Sequence, residues 1–371
     1  MKKIIAIIGT RPEAIKMAPV IFMLKNRKWA KVCVVATAQH REMMDQALSL
    51  FGITPDLDLN LMKPHQTLPE LTAKLLTELD KVFCAETPDA VLAQGDTTTV
   101  MTAAMASFYR HVPFGHVEAG LRTGNLADPF PEEMNRVVVG RLARWHFAPT
   151  ESARENLLAE GINKKHIHFT GNTVIDALLR VKKEKRVLDM PLAPNKRFIL
   201  LTVHRRKNFG KPMGKIMRAV LELLEKNKDI QVLYPRHPNT DATKLSCHKA
   251  LMGHPRFFLS NPLDYMSFIM AMKKSYMILT DSGGVQEEAP FFAKPTLVLR
   301  NETERPEGVR EGVARLVGAE TERIVSQAQK ILDDKDEYIK MAKGISPYGD
   351  GHAAGRIVEI LKRDLAESED Q

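Results

Sequence analysis

Cysteine is scarce in this chain. Cys33, Cys84 and Cys247 are the only three in 371 residues, far apart and without a CxxC pair. That spacing speaks against a disulfide framework or a thiolate metal centre and leaves buried thiols as the reading. Long apolar runs are also missing, and none approaches the roughly 20 residues that a bilayer-crossing helix needs. Met1-Lys2-Lys3 before Ile4–Ile8 briefly imitates a signal peptide. The apolar stretch is too short, however, and Gly9-Thr10-Arg11-Pro12 offers no cleavage site. A first buried strand of a cytoplasmic protein with no membrane partner is expected instead. There is no short-period repeat and no low-complexity segment. GxxxxGK[ST], HExxH, GxSxG and Cys/His metal patterns are all absent, so no metal site is expected.

What is present is ordinary in bulk and unusual in placement. Hydrophobic content of 44% and charged content of 27% suit a globular protein. The length favours two domains. The formal net charge of +9 suits an anionic partner. The one dense basic run, Arg180–Arg186, contains Glu184 and no aromatic residue. It reads as a solvated helix end or linker, so no nucleic-acid partner is expected.

Strand and helix patterns alternate throughout. Strands are expected near 3–8, 31–36, 90–93, 112–117, 145–148 and 166–169, with helices near 12–26, 41–50, 68–84, 97–109, 131–143, 151–159 and 172–182. The Pro-rich stretch Val187–Lys196 reads as a linker. A second series follows, with strands near 198–203, 230–234, 256–258, 276–279 and 296–299. Its helices are expected near 212–226, 240–250, 263–273, 284–292 and 321–333, and a last helix near 352–366. Such alternation specifies α/β architecture with parallel sheets covered on both faces. Two Rossmann-like domains are expected, 1–172 and 173–349, with a C-terminal helix in 350–371 completing the first.

At least five apolar strand runs end in polar clusters. Lys2–Ile8 meets Gly9-Thr10-Arg11-Pro12-Glu13, and Asp89–Ala93 meets Gln94-Gly95-Asp96-Thr97. Val112–Val117 meets Glu118-Ala119-Gly120, Phe198–Val203 meets His204-Arg205-Arg206, and Tyr276–Thr280 meets Asp281-Ser282-Gly283-Gly284. In parallel α/β sheets ligands bind outside the carboxyl ends of the strands, so these residues sit where a ligand would. Asp281 or Ser282 is expected to cap a helix whose free amides, reached past two glycines, hold phosphate oxygens. Glu288 follows one turn later. Arg11 offers a planar fork for phosphate, with Lys16 about a turn further on. Asp96 has a plainer alternative, as a cap for the helix at Thr97-Thr98-Thr99. Glu132 is equally the kind of acid favoured in a first helical turn, whereas Glu118 has no such excuse. Carboxylates gathered at one site perturb each other and suit acid/base work. His204 stands with Arg205 and Arg206 at the mouth of a phosphate site, and His237 also ends a strand.

Taken together, GTRPEAIKMAPV (9–20), AQHREMMDQ (38–46), QGDTTT (94–99), HVEAGLRT (116–123), PFPEEMNR (129–136), TVHRRKNFG (202–210), DSGGVQEEAP (281–290) and ERPEGV (304–309) resemble the bacterial UDP-N-acetylglucosamine 2-epimerases, closest to the non-hydrolysing type. The resemblance runs in order over nearly the whole chain. It implies a GT-B-like fold with the active site in the interdomain cleft and a homodimer. It further implies reversible conversion of UDP-N-acetylglucosamine to UDP-N-acetylmannosamine with no NAD or metal cofactor, supplying N-acetylmannosamine units for surface polysaccharide. It assigns Asp96, Glu118 and Glu132 to proton transfer and His204 to assisting the phosphate leaving group. Arg11, Lys16, Ser282, Gly283, Gly284, Glu288 and Arg305 match UDP-contacting positions, and Phe268 matches one near the uracil. Gln39, Gln66, Arg206 and His237 are candidates for a second, activating substrate site.

The chain departs from the family pattern at one charged position. The segment after the histidine usually reads HRxEN, and Lys207 stands where Glu is expected. Leu263 replaces a Gln of some relatives. Three other readings stay open: a hydrolysing epimerase of the same fold, a GT-B glycosyltransferase, and a non-catalytic UDP-sugar sensor. The segments AQHRE and HQTL speak against the first. The lack of an amphipathic membrane-facing patch speaks against the second, and the presence of all three carboxylates against the third.

Overall fold

The computed structural model describes residues 1–37, 41–62, 66–182, 190–236 and 248–367. The chain divides into two compact units, Met1–Lys182 with Tyr348–Gln371, and Lys183–Pro347. In unit 1 the strands are β1 (Lys2–Ile8), β2 (Ala30–Ala36), β3 (Leu57–Asp58), β4 (Ala90–Gln94), β5 (Phe114–Val117), β6 (Trp145–Ala148) and β7 (Ile167–Phe169). They form one parallel sheet over the described residues, in the order β3-β2-β1-β4-β5-β6-β7. The strands are near-continuous apolar runs because helices cover both faces. Ile5, Ile7, Val35, Val91 and Ala93 are buried with Val100, Ala103 and Ala104 of the helix Thr98–Tyr109.

Unit 2 repeats the plan with β8 (Arg197–Thr202), β9 (Ile230–Pro235), β10 (Phe257–Ser260), β11 (Met277–Thr280), β12 (Thr296–Val298) and β13 (Ala314–Leu316). The order is β10-β9-β8-β11-β12-β13, again parallel. Ile199, Leu201 and Val203 pack on the apolar face of the helix Lys211–Lys226, through Met213, Ile216, Met217 and Val220. Each sheet reverses its direction of growth once, between β1 and β4 in unit 1 and between β8 and β11 in unit 2. At such a switch point the flanking helices diverge and leave a crevice at the strand ends. The segments leaving these four strands are Gly9–Glu13, Gly95–Thr97, Val203–Arg206 and Asp281–Gly284, so topology alone gathers four of the five polar clusters at switch points.

The expected break at 172 precedes a helix, Thr173–Val181, that packs in unit 1 and carries it on to Lys182. Its burial explains the difference: Val174, Ile175, Ala177 and Leu178 are buried. Asp176 of this helix accepts from the amides of Ala353 (3.2 Å) and Ala354 (2.9 Å), so it caps the C-terminal helix Ala353–Glu367. Trp145 Nε1 donates to Asp364 in the same helix at 2.8 Å. In the linker, Ala193 exchanges two backbone bonds with the Gln231 side chain (2.9 and 2.8 Å). No described helix is long and apolar enough to cross a membrane.

Candidate active site

In unit 1 the site grows from the ends of β1, β4 and β5. Thr10 caps the helix Arg11–Lys25, with Pro12 in the first turn where its missing N–H costs nothing. Glu13 turns back into the protein. Its Oε2 accepts from Gly9 N (2.6 Å) and its Oε1 from Thr10 Oγ1 (2.9 Å). Burial pushes its carboxyl up to about 7, against the hydrogen bonds from Gly9, Thr10 and Thr97, with nearby Asp96 adding to the rise. One turn on, buried Lys16 reaches Glu118 Oε2 at 2.5 Å, and Gln94 Nε2 donates to the same oxygen at 2.5 Å. Glu118 follows β5 with φ +67°, an uncommon conformation for a residue with a side chain.

Asp96 follows β4 across Gly95, whose φ of +91° suits glycine at this turn. Thr97, not Asp96, caps the next helix by accepting from Val100 N. That removes the plainer alternative for Asp96. Its carboxylate meets Arg136 Nη1 at 2.5 Å, and its carbonyl accepts from Asn135 Nδ2 at 2.8 Å. Arg136 is in turn held by Glu133 Oε2 through Nε (2.9 Å) and Nη2 (2.6 Å). Glu133 Oε1 accepts from the amides of Thr123 and Gly124 (2.9 and 3.0 Å). Arg136 and Glu133 are buried, whereas the Asp96 side chain is 30% exposed. Glu132 begins the helix Glu132–Leu142 that carries these clamps.

In unit 2 the organising group is Asp281, wholly buried at the end of β11. It accepts from the amides of His204 (3.1 Å to each oxygen) and Arg205 (2.9 Å), and from Asn208 Nδ2 (2.9 Å). His204 Nδ1 lies 3.3 Å from Asp281 Oδ1. The alternative that Asp281 caps a helix is therefore corrected. Ser282 takes the N-cap position of the short helix Gly283–Glu288 without a side-chain cap bond, while Asp281 points inward to hold the His204–Asn208 segment. Arg305 lies over Gly283, where a Cβ would sit 2.6 Å from Nη1 and 2.7 Å from Cζ. Its Nε donates to Glu287 and its Nη1 to Glu304 Oε1, both at 2.6 Å. Glu304 also meets Arg300 Nη1 (2.8 Å) and Arg205 Nη2 (3.4 Å). Burial opposes its ionisation, but Arg305, Arg300 and Arg205 together hold the carboxyl far below the ordinary range. Glu288 is buried and accepts from Tyr265 Oη at 2.9 Å. Phe268 is half-buried on the helix Tyr265–Lys274.

A family profile described as UDP-N-acetylglucosamine 2-epimerase matches residues 23–362. The chain belongs to the UDP-N-acetylglucosamine 2-epimerase family. The family's enzyme of that name from Escherichia coli K12 is 46% identical, over 98% of this chain and 99% of its own length. That of Bacillus subtilis is 48% identical, over 97% and 94%. Among solved structures, a Listeria monocytogenes homologue superposes with TM-score 0.93 at 47% identity, covering 99% of this chain and 97% of its own. The Neisseria meningitidis UDP-GlcNAc 2-epimerase, bound to UDP-GlcNAc, gives 0.92 at 44%, covering 97% and 100%. The chain is thus an epimerase of GT-B-like fold.

Within this family frame the structure brings Lys16 to Glu118, links Asp96 to the Glu132 helix, and gathers His204, Ser282, Gly283 and Arg305 around Asp281 and Glu304. Arg11 opens its helix beside the Gly9 turn. For the activating site, Gln39 and His237 lie outside the described residues. Arg206 belongs to a short 3-10 turn, Arg206–Asn208, and Gln66 is half-buried just before the helix Leu68–Glu86. Lys207 of that turn is exposed, whereas its neighbour Asn208 is buried. Reading the sequence passed over Glu13, Gln94, His116, Glu133, Asn135, Arg136 and Glu304 as individuals. All lie in the quoted motifs, Glu304 at the start of ERPEGV (304–309), and their signal was adjacency to the candidate site residues.

Proposed function

We propose that the protein interconverts UDP-N-acetylglucosamine and UDP-N-acetylmannosamine by reversible elimination of UDP. The proton on sugar C2 is not α to a carbonyl and is not acidic at rest. If the C1–O bond to UDP breaks first, cationic character at C1 acidifies it. A carboxylate then takes the proton, giving 2-acetamidoglucal and UDP. Re-addition of UDP to C1, with the proton delivered to the opposite face of C2, inverts that centre. Two acid/base groups and a cationic frame for departing UDP are needed.

The observation that carries this reading is the pair of carboxylates, Asp96 and Glu118, on the adjacent strand ends of β4 and β5. They are held in different environments. Asp96 is partly exposed and fixed through Oδ2 by Arg136. Glu118 is buried against Lys16, which favours its ionised form. A diphosphate drawing Lys16 toward itself would raise the basicity of Glu118 as the leaving group arrives. Arg305, Arg205, His204 and the Ser282–Gly284 turn supply the donors for UDP, and Glu288 offers a carboxylate to ribose hydroxyls. Phe268 lies near the uracil, and Glu132 shares the proton transfers. The reaction needs neither NAD nor metal, and the working form is a cytoplasmic homodimer.

The test is proton NMR with UDP-N-acetylglucosamine in D2O. UDP-N-acetylmannosamine carrying deuterium at C2 is the expected product. Free N-acetylmannosamine with UDP would replace this reading by the hydrolysing one. An unchanged sugar beside demonstrated UDP binding would refute epimerisation.

A further inference from the structure

We propose that His116 is a positioning residue for Asp96, acting as a fixed hydrogen-bond donor from its Nε2 to the carbonyl of Gly95. His116 lies on β5, two residues before Glu118 and beside the β4 end that leads to Asp96. Its Nε2 is 2.7 Å from Gly95 O. A carbonyl only accepts, so Nε2 must carry the hydrogen. Gly95 N donates to Val117 O at 3.0 Å. Both polar backbone atoms of the glycine that aims Asp96 are therefore taken by consecutive residues of β5. The next peptide is held by Asn135, and the Asp96 carboxylate by Arg136.

Two further facts point to a single purpose. His116 is 1% exposed, and its Nδ1 is buried with no hydrogen-bond partner among the described residues. Leaving an acceptor buried and unsatisfied costs stability, which an apolar residue at this core position would avoid. Burial, with Arg122 and Arg136 nearby adding to it against the weaker pull of the Gly95 bond and Asp96, keeps the ring neutral at physiological pH. The tautomer is thus set by one bond, the bond to Gly95. His146 is its register partner on β6 and is likewise buried.

This role rests on the proposed epimerase reading, and the experiment separates the two. Gln places an amide nitrogen near the Nε2 position, whereas Asn reaches only as far as Nδ1. His116→Gln should keep kcat within about threefold of the wild type. His116→Asn should lose about 100-fold in kcat, the scale expected when a reacting group shifts by about an ångström, with KM and UDP affinity within about threefold. Equal losses in the two variants beside an active wild type would overturn the positioning role alone. A wild type that binds UDP but leaves C2 untouched would refute the functional reading. The wild type also gives a test that does not depend on variant folding. Nitrogen-15 NMR of histidine-labelled protein should show His116 neutral and protonated on Nε2, and a ring protonated on Nδ1 instead would overturn the proposal.

Discussion

Replacing Glu13 by Gln should remove a pH-dependent weakness from unit 1. Glu13 is buried, and the partners the structure gives it are Gly9 N and the Thr10 and Thr97 side chains, with Asp96 adding repulsion. Burial therefore raises its carboxyl from 4.5 to about 7. An unfolded chain ionises this group near 4.5, while the folded one keeps the proton until about 7. Stability from this group is full below the unfolded value, declines as pH rises through that window, and levels off above the folded one. Each unit is worth ~1.4 kcal/mol, so the loss amounts to about 3 kcal/mol. Gln preserves the shape and can accept from Gly9 N, but it does not ionise. His116 and His146, drawn down by burial to about 4 and about 3, lose stability in the opposite direction, as pH falls below their unfolded value. They do so in both proteins and cancel in the difference. The chain's two tryptophans, Trp29 and Trp145, both lie in unit 1, so urea unfolding followed by their fluorescence reads the unit that holds Glu13. Between about pH 4.5 and about pH 8.5, E13Q should gain roughly 3 kcal/mol on the wild type. Parallel pH curves for the two proteins would refute the argument.

Two substitutions separate the roles of the units. Asp96→Asn keeps an acceptor for Arg136 but can neither take nor return a proton, so on the proposed reading kcat should fall by about 100-fold or more while UDP affinity by calorimetry stays within about threefold; near-normal turnover would sink the role of Asp96. Gly283→Ala places a methyl 2.6 Å from Arg305 Nη1. That guanidinium is pinned by Glu287 and Glu304 and cannot yield without breaking an ion pair, so UDP affinity should drop about tenfold, some 1.4 kcal/mol. Unchanged affinity would separate Arg305 from UDP binding.

The alternation of apolar runs with helical periods made both parallel sheets legible, because strands buried on two faces are near-continuous apolar runs. Shorter elements escaped. β3 has two residues and β13 three, and the helices Pro306–Arg310 and Lys335–Met341 are too brief for a period to register. The carboxylates and the glycine turn were legible because they end strands. Their supports were not, since Arg136 reaches Asp96 across 40 positions and Arg205 reaches Glu304 across 99. Only the folded sheet order brings such partners together. Asp281 was misjudged for a related reason. Local sequence offers it a helix to cap, but burial at the switch point offers it three donors from the His204–Asn208 segment, and a charge held by several donors outweighs a single cap.

Glu118 shows how a local rule is broken where chemistry requires it. At φ +67° a glycine or asparagine would be cheaper, and strain of this kind costs on the order of 1 kcal/mol or more. The turn itself therefore gives no reason for a glutamate. Nor does burial, since an unpaired carboxylate in this position would be costlier still. What makes the residue tolerable is Lys16 and Gln94, both converging on the same oxygen, Oε2. Lys16 is itself a buried cation, on a helix where Pro19 and Val20, three and four residues on along its own face, are buried as well. Neither charge is intelligible alone, and an apolar pair would avoid the cost of burying two charges. The pair makes sense if the buried carboxylate must be ionised, aimed by a fixed turn, and sensitive to whatever next claims the lysine.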